Sequence, residues 1–410
     1  LGGKTSSPII GGRFVSKEEK ILIIEMVRDG RITSEEGVEL LNALERSAAP
    51  IETPVRSSHD AFHESEDEEG SLEEKAEQIG EMIEKRAEDF AQSITNMFSG
   101  GTFQRPKFTF SDEISGQFSE QGEVEVTLCS LDGAIEVGTW EKPEYHLEVV
   151  KKVNAKTEEE AKKILEGCLD FRQDGLSLAA TTKPGSEFRS RSVTVDFILT
   201  LPADRKARLD LHSGDGSIVV QGVSGSSCKA ATGDGSLKLE DCSFDALEVG
   251  TGDGSIAMEG LSVGRCIAKT GDGSIKLLNS RAGIADVKTG DGSIALGGTL
   301  GNVTAETMDG SITAELTGIG DWVLKTKDGP IAVKIHKHEH DSYEVDLFSG
   351  DGRVHVEGME EANVSLDERK TSCGVRRYKA RSRGFEEADS RGHLEASTGS
   401  GSVSVGFVRE

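Results

Sequence analysis

Thr251-Gly252-Asp253-Gly254-Ser255-Ile256 decides the fold, because it is one copy of a hexapeptide that returns every 19 residues. At that spacing the acid recurs as Asp215, Asp234, Asp253, Asp272 and Asp291. Decayed copies follow at Asp309, Asp328 and Asp351, with Ser400 in the Asp place of the last. An isolated early copy, Leu131-Asp132-Gly133-Ala134-Ile135, stands well upstream. Ser or Thr precedes the acid by two each time, as at Ser130, Ser213, Thr232, Thr251, Thr270, Thr289, Thr307, Thr326, Ser349 and Thr398. A fixed period of this kind marks a repeat architecture.

The columns separate inside from outside. Three residues after the acid stand Ile218, Leu237, Ile256, Ile275 and Ile294, and five after it Val220, Leu239, Met258, Leu277 and Leu296. Between them lie Val219, Lys238, Ala257, Lys276 and Ala295, a mixed set suited to an outer face. This period-2 alternation is that of a strand. Leu211, Ala230, Val249, Ala268 and Val287, four before the acid, supply a second strand per unit. One such unit cannot bury its apolar face alone, but a stack of them shares a continuous core. The expected fold is therefore mainly β: a single-stack β-solenoid of ~19-residue coils over 123–410. The glycines flanking the acid are expected to supply positive φ for a tight turn.

The acid column reads as a structural turn ladder: Asp215, Asp234, Asp253, Asp272, Asp291, Asp309, Asp328 and Asp351. Carboxylates about 5 Å apart repel by roughly 1 kcal/mol even in water, so hydroxyls, amides, lysines or weakly bound cations must offset them. The Ca²⁺-binding nonapeptide repeats pack Gly and Asp more densely, which favours the purely structural reading.

Ahead of the coils, residues 1–15 read as a disordered tail. Ser16-Lys17-Glu18-Glu19 is a capping box opening a helix with Ile21, Ile24 and Val27 on one face, and Gly30 ends it. Thr33 to Glu36 cap a second helix, giving a helical hairpin over 16–46. An acidic linker covers 47–70. Leu72, Ala76, Ile79, Ile83, Phe90, Ile94 and Met97 then keep helical spacing along an amphipathic helix, 71–98. A hairpin this small has little core of its own, so self-association or protein docking through 16–98 is expected. Residues 99–122 read as linker.

Two features interrupt the coils. A helical insertion is expected near 157–169. A basic excursion at 367–384 carries Arg369, Lys370, Arg376, Arg377, Lys379, Arg381 and Arg383 in 15 residues without an acid. It reads as a solvated or intramolecularly paired segment, or as a candidate patch for an anionic glycan, peptide or lipid.

Composition narrows the function classes. With Lys+Arg 47 against Asp+Glu 73, the net charge of −26 disfavours nucleic acid as a partner. No apolar run approaches the ~20 residues of a membrane span. Neither a signal peptide nor an integral membrane segment is expected, which points to a cytoplasmic or peripherally envelope-associated chain. Cys129, Cys168, Cys228, Cys242, Cys266 and Cys373 include no CxxC pair and read as buried free thiols. His336, His338 and His340 would sit ~6.6 Å apart along one strand face, too far for three of them to surround one metal ion. No GxSxG, HExxH or P-loop pattern occurs, so neither an enzyme nor a cofactor is expected.

The tandem Ser/Thr-x-Asp-Gly-Ser-Ile coils, with the lead-in strand Val193-Thr194-Val195-Asp196-Phe197-Ile198-Leu199-Thr200-Leu201-Pro202, resemble the bacterial adhesin-like β-solenoid proteins of unknown function. Asp29-Gly30-Arg31-Ile32-Thr33-Ser34-Glu35-Glu36-Gly37-Val38-Glu39-Leu40-Leu41 is similar to the SHOCT-like helical module at the N-terminus of the LiaX/YvlB-type branch. That resemblance implies a non-enzymatic scaffold or interaction protein in cell-envelope stress. The adhesin label implies surface binding instead. Neither resemblance brings catalytic residues with it.

Overall fold

The computed structural model describes residues 108–183, 193–359, 362–368 and 375–409. The expected tail, hairpin, acidic linker and amphipathic helix, together with Cys373, Arg369 and Lys370, lie outside the described residues. The compact unit that holds the coils spans Thr102–Glu410.

Each regular coil contributes one strand to each of two parallel ladders. The first coils are β2 (Val124–Ser130) with β3 (Ile135–Trp140), and β6 (Ser177–Thr182) with β7 (Val193–Pro202). These two are preceded or separated by β1 (Phe108–Gly116), β4 (Tyr145–Val153), the helix α1 (Glu158–Leu165) and β5 (Leu169–Asp174). There follow β8 (Ala207–Ser213) and β9 (Ile218–Gln221), β10 (Ser224–Thr232) and β11 (Leu237–Glu240), and β12 (Ser243–Thr251) and β13 (Ile256–Glu259). After β14 (Ser262–Lys269), two strands run on from one coil into the next, β15 (Ile275–Lys288) and β16 (Ile294–Thr307). The series continues with β17 (Ile312–Thr317), β18 (Asp321–Asp328), β19 (Ile331–Lys337), β20 (Asp341–Ser349) and β21 (Val354–Glu357). It ends with β22 (Asn363–Asp367), β23 (Arg376–Arg381), β24 (Ser390–Ser400) and β25 (Val403–Arg409).

The 19-residue period appears directly as register. Leu237 pairs with Ile218 and with Ile256, and Val249 with Ala230 and Ala268. Those inward columns are the core: Ile218, Leu237, Ile256 and Ile275 are at most 1% exposed. A third corner breaks each coil. In β12 the buried Phe244 and Leu247 flank two exposed residues, Asp245 and Ala246, and the ladder to β14 skips Asp245. A Cβ on Gly264 would stand 2.7 Å from the Asp245 carbonyl, so that corner has its own close-packed column.

The order of coils in space differs from the order in sequence at both ends. β2 lies between β6 and β8, so the first coil is slotted second into the stack. At the other end β24 lies between β18 and β20, and β25 between β19 and β21. The sheet stays open, and antiparallel strands close its ends: β1 and β4 outside β7, β5 outside β6, and β23 with β22 outside β20. These antiparallel additions blunt edges that would otherwise template further pairing. The linker expected over 99–122 therefore holds a strand, β1, in its described part.

The helix expected near 157–169 spans Glu158–Leu165, with the Thr157 hydroxyl accepting from the Glu160 amide as N-cap. It buries Ala161 and Leu165, while Leu169 opens β5.

Candidate functional site

In the turn ladder the hydroxyl, not the carboxylate, holds the coils together. The Thr251 hydroxyl donates to the Gly235 carbonyl at 2.8 Å, and Thr232, Thr270, Thr289 and Thr307 repeat the bond to Gly216, Gly254, Gly273 and Gly292. The same oxygen accepts from the amide three residues on, as Ser213 does from Gly216 at 3.0 Å. These hydroxyl residues are buried, whereas all eight acids from Asp215 to Asp351 are exposed. Among the described residues no three His, Cys, Asp or Glu side chains converge on a metal position.

The reason for glycine in the turn differs from the expected one. Neither Gly252 nor Gly254 has positive φ, nor do their equivalents in the regular coils. A Cβ on Gly254 would lie 2.0 Å from the Gly235 carbonyl, and the same clash recurs at Gly273 and Gly292. Close backbone stacking, not left-handed backbone, excludes a side chain there.

The described part of the basic excursion forms β23, paired with β22 on one side and β20 on the other, and its described cations are engaged inside the molecule. β23 runs antiparallel to β20, setting Arg381 opposite Glu344 and Lys379 opposite Asp346. Arg377 grips Asp346 with both Nε (3.2 Å) and Nη2 (3.1 Å). Arg381 bridges Glu344 at 3.0 Å and Glu386 at 2.6 Å, and Arg376 donates to the Gly352 carbonyl. Arg383 also has a partner. Burial works to raise the Asp346 carboxyl, but the Arg377 hydrogen bonds and the charges of Arg377 and Lys379 hold it below its usual range. A shallow cleft of about 580 Å³ opens beside these pairs, lined by Asn363, Val364, Lys379, Arg381 and Phe385 among others. The acids on β20 lie some thirty residues upstream of the cations, so the basic run gave no hint of them.

The remaining candidates also take structural places. His336 meets Glu315 at 2.8 Å, while the His338 amide donates to Asp341 beyond the end of β19. Of the described cysteines expected to be buried, Cys168, Cys228, Cys242 and Cys266 are buried free thiols, whereas Cys129 is free but only half-buried. Burial pushes the Cys266 thiol up to about 12, far from a reactive thiolate.

Glu136 carries a signal that no motif announced. It faces outward from β3 yet is only 9% exposed, between Val219 on β9 and Ile198 on β7. Burial, aided by the nearby Glu148, raises its carboxyl to about 7.

Among solved structures, a candidate adhesin from Parabacteroides merdae ATCC 43184 is 11% identical, with 74% of this chain and 98% of that chain covered and a TM-score of 0.43. A candidate lipid-binding protein from Parabacteroides distasonis ATCC 8503 is 14% identical over 75% of this chain and 99% of that one, at a TM-score of 0.39. No curated protein sequence matches significantly. A SHOCT-like domain model matches residues 18–48. The Toastrack DUF4097 model matches residues 135–381, more than half of the chain and most of its coils, and the chain belongs to that family.

Proposed function

We propose that this chain is a non-enzymatic β-solenoid scaffold acting through protein contacts in a bacterial cell-envelope stress response, with segment 16–98 as its self-association or docking module. One observation carries the scaffold half: the outward rows of both ladders mix polar and small side chains, while the turn-ladder hydroxyls and the cations of β23 serve the fold itself. Such a surface suits an extended partner better than a small substrate, which needs a concave pocket. The match of a SHOCT-like model to 18–48, beside the acidic amphipathic pattern of 71–98, supports the docking half. Among the described residues no helix is long and apolar enough to cross a membrane. Analytical ultracentrifugation of the full chain against one lacking 1–101 tests the reading. A larger assembly for the full chain alone is expected. Two monomers would overturn the association half.

A further inference from the structure

The outward row that crosses β9, β3, β7, β4 and β1 reads Val219, Glu136, Ile198, Glu148, Glu113. In the regular coils the Glu136 column carries Val219, Lys238, Ala257, Lys276 and Ala295, none of them acidic. Glu136 thus sets a carboxyl between two aliphatic side chains. It is nine-tenths buried and has neither a hydrogen bond nor an ion pair among the described residues. The neighbouring groups do not supply a countercharge. Lys152 on β4 is committed to Asp196 on β7, and Lys151 to Asp112. His146 bonds Ser115 at 2.9 Å, β9 offers only Val219 and Gln221, and Lys238 stands one strand further away. Glu148 takes a bond from Ser111 at 2.8 Å and is half-buried, while Glu113 is exposed. The row therefore leads from solvent at Glu113 to the largely buried Glu136, whose backbone stands about 10 Å, two strand spacings, from that of Glu148. An unpaired carboxylate so largely withdrawn from water is costly unless a cation meets it. Lys and Arg fit such a row, because their alkyl stems lie on apolar surface while their heads reach charge.

We infer that Glu136 and Glu148 form a docking site for a cationic side chain of a basic peptide segment, its stem on Ile198 and Val219 and its head on the carboxylates. The inference goes beyond the scaffold reading, since such a site exists whether or not 16–98 self-associates. Because Glu136 holds its proton up to about pH 7, its own charge joins the site only as pH rises through neutrality, so binding strengthens as pH rises.

The test is fluorescence anisotropy of a labelled hexa-arginine peptide with the full chain at fixed ionic strength. The wild-type chain should bind about tenfold more tightly at pH 8 than at pH 6, following the ionised fraction of Glu136. Glu136→Gln should lose at least about tenfold in affinity at pH 8, together with the pH dependence. Glu248→Gln, an exposed acid on the other ladder, should keep both. Equal behaviour of the two variants would reduce any binding to general attraction by the −26 chain and overturn the site. Wild-type binding without pH dependence would overturn it as well.

Discussion

Thr251 donates its hydroxyl to the carbonyl oxygen of Gly235, one coil back, at 2.8 Å, and approaches the Gly233 carbonyl at 3.1 Å. The bond is buried and recurs from coil to coil, so the column acts as a side-chain spine parallel to the backbone ladders. Thr251→Val keeps the shape and strands the Gly235 carbonyl, at a cost of about 1–2 kcal/mol. Thr251→Ser should recover most of it. Urea midpoints of the two variants check this: equal midpoints would remove the spine from the account.

Two glycines four residues apart in one coil should respond oppositely to alanine. A Cβ on Gly254 would meet the Gly235 carbonyl at 2.0 Å, whereas one on Gly250 meets nothing nearer than the Lys269 carbonyl at 3.8 Å. Gly254→Ala must push coils apart and is expected to cost more than about 3 kcal/mol or to prevent folding. Gly250→Ala should be neutral or stabilising by up to about 1 kcal/mol, since glycine in a strand carries an entropic cost. Thermal melts of both variants decide it.

These two positions also show what the sequence could tell. The period, the inward columns and the hydroxyl column were legible because each is written in coil after coil, and register merely repeats them in space. The reason for the glycines was not legible: a hexapeptide rich in Gly and Asp looks the same whether it needs left-handed backbone or close stacking. The corner column of Gly264 and Gly283 keeps the same 19-residue spacing and could have been found by extending the alignment of coils. Glu136 and the Arg377–Asp346 pair could not. Each depends on strands that meet across the end of the stack, and no local pattern records who sits beside whom there.

Glu136 makes stability depend on pH in a known direction. Its carboxyl stands at about 7 when folded against an ordinary 4.5, so the folded chain binds that proton more tightly. The associated stability is complete below pH 4.5 and is lost as pH rises through 7. Glu136→Gln removes the penalty and should stabilise the chain at pH 8 by up to about 3 kcal/mol, with little change at pH 4.5. Denaturation of both proteins from pH 4.5 to 8 gives the difference curve. A flat curve would show that Glu136 titrates normally.

Arg377, Lys379 and Arg381 are held by Asp346, Glu344 and Glu386, which makes them poor anion traps. Replacing all three by Gln should leave retention on an anionic polymer column unchanged. The same change releases Asp346, whose lowered carboxyl contributes stability above its ordinary 3.8 that is lost as pH falls through the folded value. The triple variant should therefore be less stable than the wild-type chain at pH 7, and the gap should narrow toward pH 2. Retention that drops with the substitutions would restore the patch as a ligand site.

The slotted coil of β24 and β25 has a neighbouring coil on each side. Leu394 on β24 is fully buried between Trp322 on β18 and Val345 on β20. Leu247, in the middle of the stack, sits likewise between Cys228 and Cys266. Both lose the same methyl groups in Leu→Ala, and both are flanked by coils that cannot collapse into the gap without breaking register. Each substitution should cost about 2–5 kcal/mol, with the two values within about 1 kcal/mol of each other. A coil lying outermost would instead fray and absorb the change. Denaturant titration of Leu394→Ala and Leu247→Ala separates the cases: a cost below about 1 kcal/mol at Leu394 alone would mean that its coil is not held between two others in solution.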